Sequence, residues 1–259
     1  SRRSRVARRA ARSSMLIPLR DDNLIRTRPV GTIGIVAVCA VVFLFQLTLT
    51  GRGARLFAFG YGMIPAVLFG TERLSAAIPH VAPWATILTS MFLHGGWLHI
   101  IGNMLYLWVF GQAMEDALGL ARYVIFYLVC GVAAALTQAF VEPTATVPMI
   151  GASGAISGVL GGYLVLYPRA RILVLLIWGL ITPITLSAKM LLLWWIAIQV
   201  FSILISTQEE GGVAWYAHVG GFATGMALMW LFRPRRLPPA REAAWTRASP
   251  WGRRRGPWG

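Results

Sequence analysis

The residues Gly151-Ala152-Ser153-Gly154-Ala155-Ile156-Ser157-Gly158 open an apolar run that ends at Leu166. Glycines at 151 and 154 allow backbone conformations closed to other residues and let neighbouring groups approach Ser153. A helix that begins here places Ser153 in its first turn, where free N–H groups and the helix dipole favour a developing negative charge. Such surroundings suit a serine nucleophile. Small residues also crowd the packing faces of membrane helices, so the stretch alone leaves both interpretations open.

The composition indicates a polytopic membrane protein, because 57% of the 259 residues are hydrophobic and only 13% are charged. A net charge of +15 would suggest nucleic-acid binding in a soluble protein, but here the basic residues flank apolar runs and fill both ends. We therefore predict the lipid bilayer as a partner and no nucleic acid. Cys39 and Cys130 lie inside apolar runs, so we predict no disulfide framework, no metal site and no cofactor.

Apolar runs predict an all-α fold with six membrane-spanning helices at about 31–50, 92–114, 120–141, 152–167, 189–206 and 215–232. The connection 51–90 is too hydrophobic for a solvated loop and too interrupted to span, so we expect it in or on the membrane interface. Residues 171–188 are apolar enough for another span, but Pro183 and Lys189 divide the region. We interpret 171–188 as an interfacial or re-entrant connection.

Charge divides the chain into a basic N-terminal arm (1–30), a helical domain (31–233) and a basic tail (234–259). The arm is predicted to be disordered or to lie on the membrane surface, and the tail to be disordered. With the N-terminus in the cytoplasm, 21 of the 24 Lys and Arg residues lie on the cytoplasmic side, which predicts that both termini are cytoplasmic. Residues 1–14 also have the composition of an organelle transit peptide, so their presence in the mature chain stays open.

A serine and a histidine reach the same depth in this topology. Ser153 lies 15 residues before Pro168, and His218 lies 15 residues before Arg233. At ~1.5 Å per residue, both are about 22 Å above the inner boundary of the membrane. That level is a few ångströms below the outer surface of a hydrocarbon core of ~30 Å. Polar residues inside spans are costly and functional by default, so we predict that Ser153 and His218 meet in one site.

The second span adds two polar residues at this level, since His99 lies 16 residues before Glu115 and Asn103 follows one turn deeper. In acyl-transfer chemistry His218 would act as general base for the Ser153 hydroxyl. The Asn103 and His99 side chains and the backbone N–H of the serine would donate to the tetrahedral oxyanion. Because no acidic residue falls near His218, we predict a Ser–His dyad.

The ordered motifs of spans two, four and six resemble those of the rhomboid intramembrane serine proteases. They are His94-Gly-Gly-Trp-Leu-His99-Ile-Ile-Gly-Asn103, then Gly151-Ala-Ser153-Gly154, then Ala217-His218-Val-Gly-Gly221 with Gly225. The resemblance covers about residues 30–233. It implies that Ser153 is the nucleophile and His218 the base, with His99 and Asn103 as oxyanion partners. It also implies that the first loop is a membrane-embedded hairpin.

The resemblance implies structural roles for other motif positions. Gly221-x-x-x-Gly225 is similar to the family's helix-packing motif, which would press span six against span four. Roles in packing or in shaping the loop are implied for His94, Glu115, Ser157, Gly151 and Gly154. The chain departs from some members at Ser157, where they carry an aromatic residue that packs on the histidine, and it has no Trp-Arg pair in 51–90.

The implied function is hydrolysis of peptide bonds in or near the outer part of transmembrane segments of other membrane proteins. The resemblance implies a minimal six-span bacterial form in the inner membrane, with an active site open to the outer side. Substrates that unwind at Gly or Pro should be favoured, because a helix hides its carbonyls in hydrogen bonds. Span five and the loop 207–214 are expected to move to admit substrate. The sequence does not indicate an oligomeric state.

Other classes of membrane protein fit the residues less well. A zinc protease needs His-Glu-x-x-His, whereas His94 and His99 are five apart with no Glu between them. An aspartyl protease needs two buried acids, and the aspartates here, Asp21, Asp22 and Asp116, lie outside the spans. A transporter typically contains internal repeats, which this chain lacks. An inactive rhomboid-like protein that binds membrane clients stays open, although such proteins typically lack the serine or the histidine.

Overall fold

A computed structural model describes residues 15–23, 25–178, 180–205 and 213–231, and most of them are helical. In chain order the elements are β1 (Met15–Asp21), α1 (Val30–Thr48), α2 (Arg52–Tyr61), α3 (Pro65–Leu68), α4 (Thr86–Thr89), α5 (Trp97–Leu118), α6 (Leu120–Val141), α7 (Ser153–Leu166), β2 (Arg171–Trp178), β3 (Leu180–Ser187), α8 (Ala188–Ile205) and α9 (Trp215–Leu231). Short 3₁₀ turns lie on either side of α4. Residues 1–14, most of the loop 207–214 and the tail 234–259 lie outside the described residues.

The six predicted helices correspond to α1 and α5 to α9. Five of them agree with the predicted bounds to within about two residues, and α6 coincides with the predicted 120–141. α5 begins at Trp97 rather than at residue 92, because Gly95 and Gly96 precede it in a non-helical conformation. By length and composition, α1, α6 and α8 can each cross a membrane. α7 and α9 are shorter, and the polar residues His99 and Asn103 interrupt the apolar sequence of α5.

α7 lies at the centre of the bundle, since 12 of its 14 residues are buried. Gly221 and Gly225 of α9 lie against the backbone carbonyls of Gly154 and Gly158 on α7, so closely that a Cβ on either glycine of α9 would overlap them. Backbone contact of this kind needs residues without side chains. It holds the first turn of α9 beside the first turn of α7.

The loop between α1 and α5 is tied to the segment that precedes α7. The backbones of Met63 and Met149 exchange two hydrogen bonds, with N···O distances of 3.0 and 2.8 Å. The N–H of Gly151 donates to the carbonyl of Ser90 at 2.8 Å. These contacts fix the approach of the chain to Ser153 from outside its own helix.

A three-stranded antiparallel sheet, in the order β1-β2-β3, corrects the all-α expectation. Residues 171–188, interpreted from sequence as an interfacial or re-entrant connection, form the β2–β3 hairpin and reach the first residue of α8. Ile172 and Val174 are buried, whereas Leu173 between them is exposed. The alternation is one of burial rather than of polarity, because the whole run is apolar. The periodicity of a short apolar run does not distinguish a strand from a helix, so the β2–β3 hairpin was not predicted from the sequence.

The predicted disorder of residues 1–30 is wrong for the part of the arm that the structure describes. β1 pairs with β2, and the segment after it is bound by Asp116, whose Oδ1 accepts from the N–H groups of Arg26 and Thr27 at 3.1 and 2.8 Å. Asp21 Oδ2 accepts from the Tyr163 hydroxyl of α7 at 2.8 Å. Partners about 90 and 140 residues away along the chain leave no local signal, so the high charge alone suggested a solvated arm.

Candidate active site

Ser153 is the first residue of α7, which places its backbone N–H among the groups that a helix leaves without an intrahelical acceptor. Gly151, two residues earlier, has φ of +131°, a conformation that strains residues with side chains. A Cβ at this position would lie 2.7 Å from His99 Nε2. The glycine therefore makes the turn into the helix and leaves room for the imidazole.

His218 lies in the first turn of α9 and meets Ser153 across the contact between the two helices. The Ser153 Oγ lies 2.8 Å from His218 Nε2, although the residues are 65 positions apart in sequence. The N-terminus of α9 is held by α6, because the N–H of Ala217 donates to Gln138 Oε1 at 3.2 Å. The geometry allows the hydroxyl to transfer its proton to the imidazole.

His99 faces the same site from the first turn of α5. The N–H of Gly95 donates to His99 Nδ1 at 3.3 Å. A neutral imidazole that accepts at Nδ1 carries its proton on Nε2. Since Nε2 is the atom nearest to Gly151, a donor N–H points toward the segment just before the serine.

Asn103 supplies a second side-chain donor one turn further along α5. Its side chain is 8% exposed and lines the same cavity as Ser153 and His218. Asn103 Nδ2 is buried and has no hydrogen-bond partner among the described residues. Buried amide donors nearly always have a hydrogen-bond partner, so a donor without one is unusual. Asn103 Nδ2 is therefore available to bind a group that enters the cavity.

The remaining predicted residues lie around this set rather than within it. His94 is buried behind His99, with the two rings 5.2 Å apart, and Gln46 of α1 holds its backbone N–H and carbonyl at 3.0 and 3.1 Å. Ser157 donates to the carbonyl of Ser153 at 2.6 Å. Glu115 lies at the other end of α5, where it accepts from the N–H groups of Gly31 and Thr32.

α8 contributes two residues that the sequence analysis missed. Gln199 Oε1 lies 2.7 Å from His218 Nδ1, and the Trp195 ring centroid lies 5.9 Å from that of His218. Trp215, just before the histidine, packs edge-on at 6.1 Å. Two tryptophans therefore flank His218. Neither is at position 157, where some rhomboid proteases have an aromatic residue that packs on the histidine and this chain has Ser157. An uncharged Gln within an apolar run was a usable signal, because polar groups in spans are functional by default.

These residues line a cavity of about 820 Å³ at one end of the bundle. Much of its wall is apolar or glycine, and its polar groups converge from four helices: His99 and Asn103 from α5, Ser153 from α7, Gln199 from α8 and His218 from α9. The set combines a hydroxyl that is hydrogen-bonded to an imidazole with nearby donors. Chemically, such a set can carry out acyl transfer.

Comparison with known proteins agrees with the motifs. The family model described as Rhomboid domain matches residues 82–235, which contain α5 to α9. The mitochondrial Rhomboid protein 1 of Saccharomyces cerevisiae is 29% identical over 183 residues, covering 69% of this chain and 51% of that protein. RHOMBOID-like protein 4 of Arabidopsis thaliana is 32% identical over 151 residues, covering 57% of this chain and 34% of that protein.

A bacterial relative is also similar over the central part of the chain. The rhomboid protease GluP of Bacillus subtilis is 36% identical over 98 residues, which cover 38% of this chain and 18% of that protein. The chain therefore spans about half or less of the length of these relatives. Since the family match extends over more than half of the chain and includes the helices that carry Ser153 and His218, the chain belongs to the rhomboid family of multi-pass membrane proteins.

Proposed function

We propose that this chain is an intramembrane serine endopeptidase that cleaves transmembrane segments of other membrane proteins. The observation that carries the proposal is the 2.8 Å contact between Ser153 Oγ and His218 Nε2, made by helices that are distant in sequence and closely packed. A hydroxyl and an imidazole in this relation are the two groups that covalent acyl transfer needs. The family membership and the relative named a rhomboid protease support the same activity.

In the proposed mechanism, Ser153 Oγ attacks the carbonyl carbon of the scissile peptide while His218 Nε2 accepts the hydroxyl proton. The imidazolium then gives that proton to the leaving amine, and water hydrolyses the acyl-enzyme with His218 again as the base. Developing charge on the carbonyl oxygen would be stabilised by the N–H of Ser153, by Asn103 Nδ2 and by His99 Nε2. Asn103 supports this role because its donor has no partner among the described side chains and backbone groups.

We further propose the topology that the charge distribution predicts. All six long helices would cross the membrane, the loop between α1 and α5 would be embedded in it, and both termini would be cytoplasmic. The site would then open toward the outer side of a bacterial inner membrane. A Cys placed at Thr144, between α6 and α7, should react with an impermeant maleimide added to intact cells, whereas a Cys at Arg169, after α7, should react only after permeabilisation. The reverse pattern would contradict the topology.

The proposed substrates are transmembrane segments that unwind near their outer end, where Gly or Pro weakens the helix. The resemblance to rhomboid proteases also implies a small residue at the cleaved position. An uninterrupted polyleucine-type span should be a poor substrate, and Gly or Pro placed near its outer end should increase cleavage. Equal cleavage of both spans would contradict this substrate class.

Cleavage of a single-span substrate in proteoliposomes tests the activity. Wild-type protein should cut the substrate and react with a fluorophosphonate probe, and Ser153→Ala and His218→Ala should each lower cleavage at least about 10³-fold. Matched controls are Ser75→Ala and His80→Ala, which alter exposed residues of the loop between α1 and α5 and should cleave like wild type. Binding of the substrate without cleavage or labelling would instead favour the client-binding interpretation.

A further inference from the structure

α8 places a polar side chain against the face of His218 that does not contact the serine. Gln199 is 6% exposed, and its Oε1 lies 2.7 Å from His218 Nδ1. Trp195, one turn earlier on α8, packs against the same imidazole. His218 thus has a hydrogen-bond partner at each ring nitrogen, Ser153 at Nε2 and Gln199 at Nδ1.

We propose that Gln199 is a positioning residue that sets the tautomer and orientation of His218 for the reaction. This inference rests on the proposed protease function. Gln199 does not touch the reacting atoms. It acts through His218 in the place where a triad would have a carboxylate, so the site is a dyad supported by an amide.

The hydrogen-bond network determines which way the amide points. Gln199 Nε2 donates to the backbone carbonyl of Trp195 at 3.3 Å, and a carbonyl can only accept. The Oε1 atom is therefore the one that faces His218, and Nδ1 must carry the proton that it accepts. A neutral imidazole protonated at Nδ1 has its lone pair on Nε2, the atom that faces the Ser153 hydroxyl.

An amide suits this depth better than a carboxylate. A charge buried beside a hydrocarbon core is costly unless it is fully compensated, and here Nδ1–H is the one donor that the described residues direct at this position. The amide oxygen is neutral at every working pH, yet its dipole still favours the imidazolium that forms during the reaction. Gln199 thus fixes the tautomer without adding a buried charge.

Few other titratable groups bear on His218. The cavity wall holds His99 and Tyr106 of α5, while the elements packed against α9 present Gly131 and Ala134 from α6, Ser153 from α7 and Trp195 and Gln199 from α8. No carboxylate lines the cavity in the part of the chain that the structure describes. A carboxylate introduced at position 199 would therefore be the nearest negative charge to His218, and its effect on the pH dependence can be assigned to that contact.

The test compares Gln199→Met and Gln199→Glu with wild type. Met is similar in size but lacks the acceptor, whereas Glu keeps an acceptor and adds charge. Gln199→Met should lower kcat about 10- to 100-fold, the range seen when a side chain that orients a metal-bound imidazole is removed, with KM changed less than about twofold. Fluorophosphonate labelling of Ser153 should slow by the same factor. Because the probe is small, an equal loss places the defect in the chemistry rather than in substrate access.

The carboxylate variant supplies a readout that a purely structural role would not move. Gln199→Glu should retain more activity than Gln199→Met and should shift the acid limb of the kcat/KM profile to higher pH by about one unit, because the negative charge stabilises the imidazolium. The control Phe201→Leu, on an exposed position of α8, should leave both the rate and the profile unchanged.

Two results would overturn the inference while leaving the proposed protease intact: wild-type kcat and labelling in Gln199→Met, or an acid limb in Gln199→Glu that coincides with that of wild type. If Gln199→Met fails to fold, the profile of Gln199→Glu decides alone. Failure of the wild-type protein itself to cleave or to react with the probe would instead contradict the proposed function.

Discussion

The two ends of the helix bundle cap a helix in different ways. At one end, Glu115 accepts from the first N–H groups of α1, at Gly31 and Thr32, with distances of 2.7 and 2.8 Å. At the other end, Gln138 accepts from Ala217 in the first turn of α9 at 3.2 Å. Both groups satisfy backbone donors that a helix leaves without partners. The end held by Asp21, Asp22, Glu115 and Asp116 is here called the carboxylate end, and the end that contains the cavity is called the cavity end.

Side chains at the carboxylate end accept several hydrogen bonds each. Glu115 takes a third bond from the Thr32 hydroxyl at 2.9 Å, and Asp116 accepts from two N–H groups and the Thr27 hydroxyl. At the cavity end the corresponding groups are amides, Gln46, Gln138 and Gln199, each of which donates and accepts. A buried charge is tolerated where several donors converge, and a neutral amide serves where they do not. The hydrogen-bond partners of His218 at the cavity end are thus uncharged, and the carboxylate of Glu142 is bonded to Gln138 instead.

The largest effect on stability is expected at the carboxylate end. Glu115→Ala leaves two backbone N–H groups and a hydroxyl without their acceptor and should lower the free energy of unfolding by about 3 kcal/mol. Unfolding in mixed micelles, followed by tryptophan fluorescence, measures this loss. The exposed Glu72→Ala is the control and should stay within about 0.5 kcal/mol of wild type. Cleavage per folded molecule should be unchanged, and a selective loss of kcat would remove the distinction between the two ends.

At the cavity end, a small change should affect activity more than stability. Gly151→Ala forces a side chain into φ of +131° and puts its Cβ 2.7 Å from His99 Nε2, so we expect kcat/KM to fall about 10²-fold. The matched control is Gly70→Ala, which has a φ of +76° with open space around it. Gly70→Ala also places a side chain at positive φ, but with no neighbour to displace, and should cleave like wild type. Similar activity losses in both variants would point to strain rather than to displacement of His99.

The long helices and the pairing of Ser153 with His218 could be predicted from local sequence pattern. Long apolar runs indicated the six long helices, five of them to within about two residues, because an apolar run of this length predicts a membrane-spanning helix. Equal distances to flanking boundary residues suggested that Ser153 and His218 share a level, and the structure places their side chains 2.8 Å apart. Both inferences needed only local pattern and the rise of a helix.

The missed features depend on partners that lie far away in the chain. β1 pairs with β2 across about 150 residues, and no local pattern in an arginine-rich arm indicates that partner. Gln199 stands 19 residues before His218 on a different helix, so its contact follows only from the packing of α8 against α9. Glutamines are polar too, and Gln46, Gln112, Gln138 and Gln199 all lie within the predicted spans. The cost of a polar group in a membrane therefore marked Gln199 as a candidate, although it did not indicate His218 as its partner.

A moderate effect on stability is expected when the amide that caps α9, Gln138, is replaced by a carboxylate like the one that caps α1. Gln138→Glu replaces an amide by a carboxylate. In the wild-type protein Gln138 Nε2 donates to Glu142 Oε2 at 2.7 Å, so the variant would place a second carboxylate oxygen beside Glu142. Two carboxylates at that distance repel when both are ionised, so we expect a loss of about 1–2 kcal/mol in unfolding free energy at pH 8. The loss should shrink at pH 5, where a proton can be shared between them. A penalty independent of pH would show that the loss comes from the missing Nε2–H donor rather than from repulsion between the carboxylates.

The smallest effect is expected where a carboxylate at the carboxylate end is only partly compensated. Asp21 is half-buried in β1, and burial raises its pKa above the ordinary value of 3.8, although hydrogen bonds from Asn23 and Tyr163 oppose the shift. A raised pKa means that the folded state binds the proton more tightly than the unfolded state does. The contribution of Asp21 is therefore most favourable below pH 3.8 and is lost as the pH rises through the folded-state pKa.

Asp21→Asn removes this titration and keeps an oxygen that can accept from the Tyr163 hydroxyl. At pH 7 the variant should equal or exceed the stability of wild type, by less than about 1 kcal/mol because solvent screens a half-exposed group. The advantage should shrink as the pH falls through the folded-state pKa toward 4, since the folded wild-type carboxyl then binds its proton. Urea unfolding at pH 4 and pH 7 measures the difference. A variant less stable than wild type at pH 7 would mean that the charge itself holds β1 against α7, as the charge of Glu115 is expected to hold α1.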